Sequence, residues 1–306
     1  MSEAKAPKRD MTNIGKEAVP AFAVLPDASS VFDTRAARFR SLASGHPLEP
    51  YLAFLADLAE AQHDIQTDLP SVALPAHEDI ERALDGGMPP LPAASLADDP
   101  AAILTIERLV ERVARFDAVP PATAAACGAL LSADAAKRKA IIAAAISGTP
   151  NAEETAERVL AFAGLQVHFA RLASQLDADR LKRIADGVCP ACGSAPVSSS
   201  VVGWPKAHNT RFCACSLCAT MWNVVRVKCV LCSETGAITY LTVDGAPETV
   251  KAECCDACKR YVKILYQVND HLLEPVADDV ASLGLDMLLA EEGWQRGGVD
   301  PFLLGY

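Results

Sequence analysis

Between about residues 28 and 186 the apolar positions recur with a helical period. Phe162, Leu165, Phe169, Leu172 and Leu176 step by three and four, which places them on one helix face. Ile103, Ile106, Val110 and Val113 repeat the pattern, and Asp99-Pro100 ahead of them supplies an N-cap and a first helical residue. "NAEE" has the form of a capping box with Asn151 as the cap. The Pro-rich stretch "GGMPPLPAASLADDP" predicts a loop between helices. From residue 187 the period changes. "TMWNVVRV", "AITYLTV" and "RYVKILYQV" alternate β-branched or aromatic residues with polar ones, which predicts short strands in hairpins and a strand from Met221 to Lys228. Helical spacing returns at Val276, Val280, Leu283, Met287 and Ala290, a terminal helix expected to dock on one of the two preceding regions.

Length and charge narrow the function classes. A chain of 306 residues suggests two domains, and a net charge of -11 disfavours general binding to nucleic acid or anionic lipid. The N-terminus is polar, without the apolar core of a signal peptide, and no apolar window is long enough for a membrane span. These features predict a soluble cytoplasmic protein with no membrane insertion. No phosphate loop, dinucleotide fingerprint, nucleophile elbow or HExxH occurs, and Glu291/Glu292 has the look of a solvated pair at the end of an exposed helix. The expectation is therefore a protein without catalytic activity.

Cysteine usage changes the picture. Of eleven cysteines only Cys127 lies outside residues 189–258. In a reducing compartment, clustered CxxC pairs point to metal rather than disulfides, and a dithiol oxidoreductase would present a single CxxC. The pairs are Cys189/Cys192, Cys215/Cys218, Cys229/Cys232 and Cys255/Cys258, and 22 residues separate the pairs within each half. Adding 40 to each number of the first set gives the second, the mark of a duplicated unit. A CxxC turn holds two sulfurs on one side, and two facing turns supply a tetrahedral four-thiolate site. Gly193 suits the tight backbone after Cys192. The repeat favours sequential pairing, Cys189, Cys192, Cys215 and Cys218 in one site and Cys229, Cys232, Cys255 and Cys258 in the other. A cross-braced arrangement, joining the first turn to the third, is the alternative. Cys213 and Cys254 precede a turn each, as spare buried thiols or as replacement ligands; Cys127 fits a small apolar helical residue, and His208 a loop. Residues 187–263 carry eight Lys or Arg against five Asp or Glu, an excess that two divalent four-thiolate centres would cancel, which argues against a phosphate-binding surface.

Four stretches, "CPACGSAPVSSSVV", "RFCACSLCATMWNVVRVKCVLC", "CDACKRYVK" and "DDVASLGLDMLLAEEGWQRGGVDPFLL", resemble signature segments of the formate dehydrogenase accessory protein family FdhE. The resemblance spans about residues 187–304. It implies a cytoplasmic maturation factor, not itself a dehydrogenase, that acts on the catalytic subunit of a respiratory formate dehydrogenase before export. It also implies rubredoxin-like metal sites on the eight CxxC cysteines, with two metal ions per chain, iron favoured and zinc acceptable. Cys254 departs from the family pattern, in which the residue before "CDAC" is usually not cysteine; the ligand assigned is Cys255.

The expected fold is thus α+β. A disordered tail (1–20) precedes an all-α domain (21–186), tandem rubredoxin-like or zinc-ribbon metal modules (187–226 and 227–266), and a C-terminal docking helix and tail (267–306). Assembly by contact is the expected function. The alternatives are a rubredoxin-like electron-transfer protein and a zinc-ribbon nucleic-acid module.

Overall fold

Helix α8 (Thr155–Ala173) organises the N-terminal region. Fourteen of its nineteen residues are buried, so the expected single stripe is one side of a helix enclosed on most sides. The enclosing elements are α2 (Glu49–Asp64), α5 (Pro100–Val113), α6 (Pro121–Ser132) and α7 (Ala135–Ser147). Gly164 permits the closest approach: a Cβ there would lie 2.7 Å from Ile106 Cα on α5. The start of α5 is as predicted. Asp99 Oδ1 accepts from the Ala101 N–H at 2.8 Å, with Pro100 at the first helical position. Along α5, Ile106, Val110 and Val113 are buried and Ile103 is half-buried. The remaining helices are α1 (Val31–Ala43), α3 (His77–Asp85) and the single turn α4 (Ala93–Leu96). That turn lies within the stretch expected to be loop throughout. Pro92 carries extended backbone at its N-cap, and its carbonyl accepts from the Ser95 and Leu96 amides at 3.1 and 3.2 Å, which closes the turn.

This computed structural model describes residues 20–303 apart from 98, 149–151 and 246. The capping box at Asn151, the tail reading for residues 1–19 and the last three residues of the chain lie outside the described residues.

Two three-stranded antiparallel meanders form the sheet: β2 (Pro196–Val201), β3 (Arg211–Cys215) and β4 (Met221–Val224), then β5 (Ile238–Leu241), β6 (Val250–Cys255) and β7 (Arg260–Leu265). Strand ranges in the two units correspond at nearly the offset of 40 that relates the cysteines. The two units are joined edge to edge, however. β2 pairs in parallel with β7 through Ser199↔Ile264 and Ser200↔Leu265, so the strand order β1-β4-β3-β2-β7-β6-β5 runs through one sheet. β1 (Ala23–Val24), from the start of the described helical region, closes the outer edge of β4, and β8 (Gln295–Arg296) pairs with β7. The strand expected from Met221 to Lys228 ends at Val224, because the chain must turn away to carry Cys229 to the second unit. Val225 and Val227 are left exposed on that turn.

The C-terminal helix is two helices, α9 (Ala277–Ala281) and α10 (Leu283–Glu291), broken at Ser282, whose hydroxyl donates to the Asp278 carbonyl at 2.7 Å. The break rotates the buried face, so Leu285 and Leu289 point inward while Met287 and Ala290 are exposed. The segment docks on both preceding regions rather than one. Arg38 of α1 holds Asp278 in a two-pronged pair at 2.9 and 2.6 Å, and Arg35 pairs with Glu274 at 3.1 Å. On the sheet side, fully buried Lys263 of β7 pairs with Asp279 and Asp286, and Tyr261 donates to Asp286 at 2.7 Å. Buried charges persist only when paired in this way. Among the described residues no helix is long and apolar enough to cross a membrane.

Candidate metal centres

Each CxxC lies in a turn with the same local geometry. The residue after the second cysteine has positive φ in all four turns: Gly193 (82°), Ala219 (58°), Ser233 (68°) and Lys259 (56°). This left-handed residue reverses the chain so that backbone N–H groups face the sulfur, as where the Leu217 and Cys218 amides each reach Cys215 Sγ at 3.4 Å. In the other turns the backbone closes on the first cysteine: the Gly193, Ser233 and Lys259 amides donate to the carbonyls of Cys189, Cys229 and Cys255 at 3.0, 3.0 and 2.8 Å. Glycine was expected at 193 for its freedom at positive φ, and the structure adds a packing reason. A Cβ there would lie 3.2 Å from Pro89 Cγ.

The structure gathers the sulfurs sequentially and not crosswise. Cys189, Cys192, Cys215 and Cys218 form one group and Cys229, Cys232, Cys255 and Cys258 another, with the four sulfurs of each within 4.8 Å of one another. Facing pairs are separated by 3.6 Å (Cys189/Cys218), 3.4 Å (Cys192/Cys215), 3.8 Å (Cys229/Cys258) and 3.6 Å (Cys232/Cys255). A tetrahedral ion with metal–sulfur bonds of about 2.3 Å needs sulfurs about 3.8 Å apart, so the donor sets fit such an ion, and all-sulfur donors suit zinc or iron equally.

Electrostatics leads to the same conclusion. Burial pushes the Cys189 and Cys215 thiols well up. Cys192 is buried too, but hydrogen bonds from Cys189, Cys215, Cys218 and Ser194 bring it down. Four thiolates packed this closely and buried would repel one another, and a cation among them offsets that cost.

The remaining thiols are placed elsewhere. Cys213 and Cys254 are fully buried on β3 and β6, outside both groups, and burial pushes each up to about 12. Cys254 packs with Ala252, Tyr261, Leu285 and Leu289 under α10, so Cys255 and not Cys254 faces the second group. Cys127 is buried in the helical core, and His208 is exposed in the loop between β2 and β3.

Two features of the site were missed by sequence reasoning. The proline-rich segment seals the first group, the Leu91 and Ala93 amides donating to the Ala191 and Cys192 carbonyls at 2.9 and 3.1 Å. On the other side Gln166, buried in α8, donates to the Ser216 carbonyl at 2.7 Å and accepts from Gln62 at 3.1 Å. A lone glutamine in an apolar helix is the one hint the sequence offers. The two groups consequently differ in cover. The first has all four cysteines at 3% exposure or less. In the second, Cys232 is exposed and Cys258 half-buried.

Comparison with known proteins extends these observations. Family models described as "FdhE, N-terminal", "FdhE, central domain" and "FdhE, C-terminal domain" match residues 20–186, 188–226 and 227–303. A protein FdhE homolog of Rhizobium meliloti (strain 1021) is 40% identical over 299 residues, 97% of each chain. Protein FdhE of Salmonella dublin is 33% identical over 92% of this chain and 90% of its own. The crystal structure of the FdhE protein from Pseudomonas aeruginosa superposes with a TM-score of 0.82 at 31% identity, covering 94% of this chain and 99% of that one.

Proposed function

The chain belongs to the FdhE family of formate dehydrogenase accessory proteins, and on that premise we propose that it docks on the catalytic subunit of a respiratory formate dehydrogenase in the cytoplasm and supports its assembly before export. The eight CxxC cysteines hold two ions in this reading, iron in rubredoxin-like sites in the cell and zinc where purification exchanges it. The observation that carries it is the setting of two four-sulfur groups in one sheet, joined through β2 and β7 and braced against the helices. Four-thiolate metal contributes directly to folding, so the ions fix the shape of the surface the partner meets. In this role the protein acts by contact and does not oxidise formate alone.

The test is deletion of the gene followed by measurement of respiratory formate dehydrogenase activity, with capture of the catalytic subunit from extract by tagged protein. Activity should fall in the deletion strain, and wild-type protein should capture the subunit. Cys189→Ser and Cys218→Ser should each cost one and the same ion, Cys229→Ser the other. Normal activity in the deletion strain together with no capture would remove the assembly role.

A further inference from the structure

We propose that the two centres divide their labour: the second exchanges its metal through Cys232, while the first is a permanent ion that fastens the sheet to the helical domain. This rests on the reading of the eight thiols as metal ligands and goes beyond it in assigning the sites different chemistry. The local turns are alike, so the difference comes from what lies over them.

Over the first group lie residues 89–93, hydrogen-bonded to Ala191 and Cys192, and α8, hydrogen-bonded to Ser216. No cysteine there is more than 3% exposed. A competing ligand can reach that ion only after this cover lifts. Among the described residues no segment hydrogen-bonds across Leu231 and Cys232 as residues 89–93 do across Ala191 and Cys192; residues 183–187 pack instead against Val230, Leu231 and Ser233. Lys259 and Trp294, with the ammonium 5.2 Å from the indole centroid, stand beside Cys258, and the surface at Cys232 is open.

Exchange of a four-thiolate ion proceeds by ligand substitution. An incoming donor, a soft thiolate of a partner or the nitrogen and oxygen atoms of a chelator, bonds to the metal as the metal–Cys232 bond breaks. The released Cys232 thiolate takes a proton from solvent or remains charged, and no electron changes hands. The remaining bonds then break in turn. The ligand class is a thiophilic divalent cation passing to or from a soft donor at this face.

The experiment uses full-length protein loaded with zinc. Release is followed by the absorbance of 4-(2-pyridylazo)resorcinol, and parallel samples quenched with N-ethylmaleimide are mapped by mass spectrometry. The expected result is two ions per chain leaving in two phases, the slower at least about tenfold behind because it requires local opening. Cys232 should be labelled during the fast phase, with Cys189, Cys192, Cys215 and Cys218 protected until the slow one. Cys232→Ser, a surface substitution, should lose the fast ion and leave the slow rate unchanged. Two ions leaving in one phase, or first labelling within the first group, would overturn the division of labour. A protein that takes up no zinc would overturn the metal reading beneath it.

Discussion

The seam between the two repeated units is held by a buried ion pair whose removal should have unequal effects from its two sides. Arg211 on β3 reaches past β2 and β7 to Glu253 on β6, with Nη1 2.6 Å from Oε2 and side-chain exposures of 0% and 2%. Ser199 of β2 contacts Arg211 Nε and Nη2 at 3.0 and 2.9 Å, and Tyr240 donates to Glu253 at 3.0 Å. Glu253→Gln leaves a guanidinium that cannot shed its proton at the centre of the sheet, and breaking a buried pair in this way costs about 3–5 kcal/mol. Arg211→Met keeps most of the side-chain volume and leaves Glu253, whose carboxyl burial already pushes up, able to take a proton and become neutral. An unsatisfied neutral polar group costs about 1–3 kcal/mol, so this should be the milder variant. Replacing both, Arg211→Met with Glu253→Leu, should recover much of the loss, since a buried pair is often no more stable than an apolar one. Urea and thermal unfolding of zinc-loaded protein, followed by circular dichroism, give the comparison, and in the thermal arm Glu253→Gln should lower the melting temperature by on the order of 10 °C. The reasoning fails if Glu253→Gln costs under about 1 kcal/mol, the range of exposed pairs, or if Arg211→Met costs more.

Two further outcomes follow from α8. His168 is buried against Phe169, and burial lowers it to about 4 from 6.5. Because the folded value is the lower one, the stability it contributes is complete above 6.5 and is lost as pH falls toward about 4, a decline of about 3 kcal/mol that His168→Phe should flatten; an unchanged pH profile in that variant would refute the assignment. Gly164→Ala should gain about 1 kcal/mol of helix propensity but meet Ile106 Cα at 2.7 Å, and overpacking of about 1–3 kcal/mol or more should prevail. A higher urea midpoint in that variant would show that α5 and α8 do not approach as described.

What the chain determined by itself is local. A CxxC turn needs only its own backbone reversal and amides, so the eight sulfurs, their spacing and the repeat were legible, and the cap at Asp99 likewise depends on two adjacent residues. What the tertiary structure decided is what lies between and over these elements. β2 is "PVSSSV", buried at every position, with Ser198 donating to the Pro275 carbonyl and Ser199 to that of Lys263. A strand covered on both faces shows no alternation, so its parallel pairing with β7, which turns two units into one sheet, leaves no periodic trace. The split of the terminal helix at Ser282 was hidden for a related reason: the spacing continues across the break while the buried face rotates. Cys192 and Cys232 occupy equivalent places in equivalent turns, yet one is sealed and the other open. That difference is set by residues 89–93, about a hundred positions away in the chain, because exposure depends on whatever segment packs above a group and is no property of the group's own neighbours in sequence.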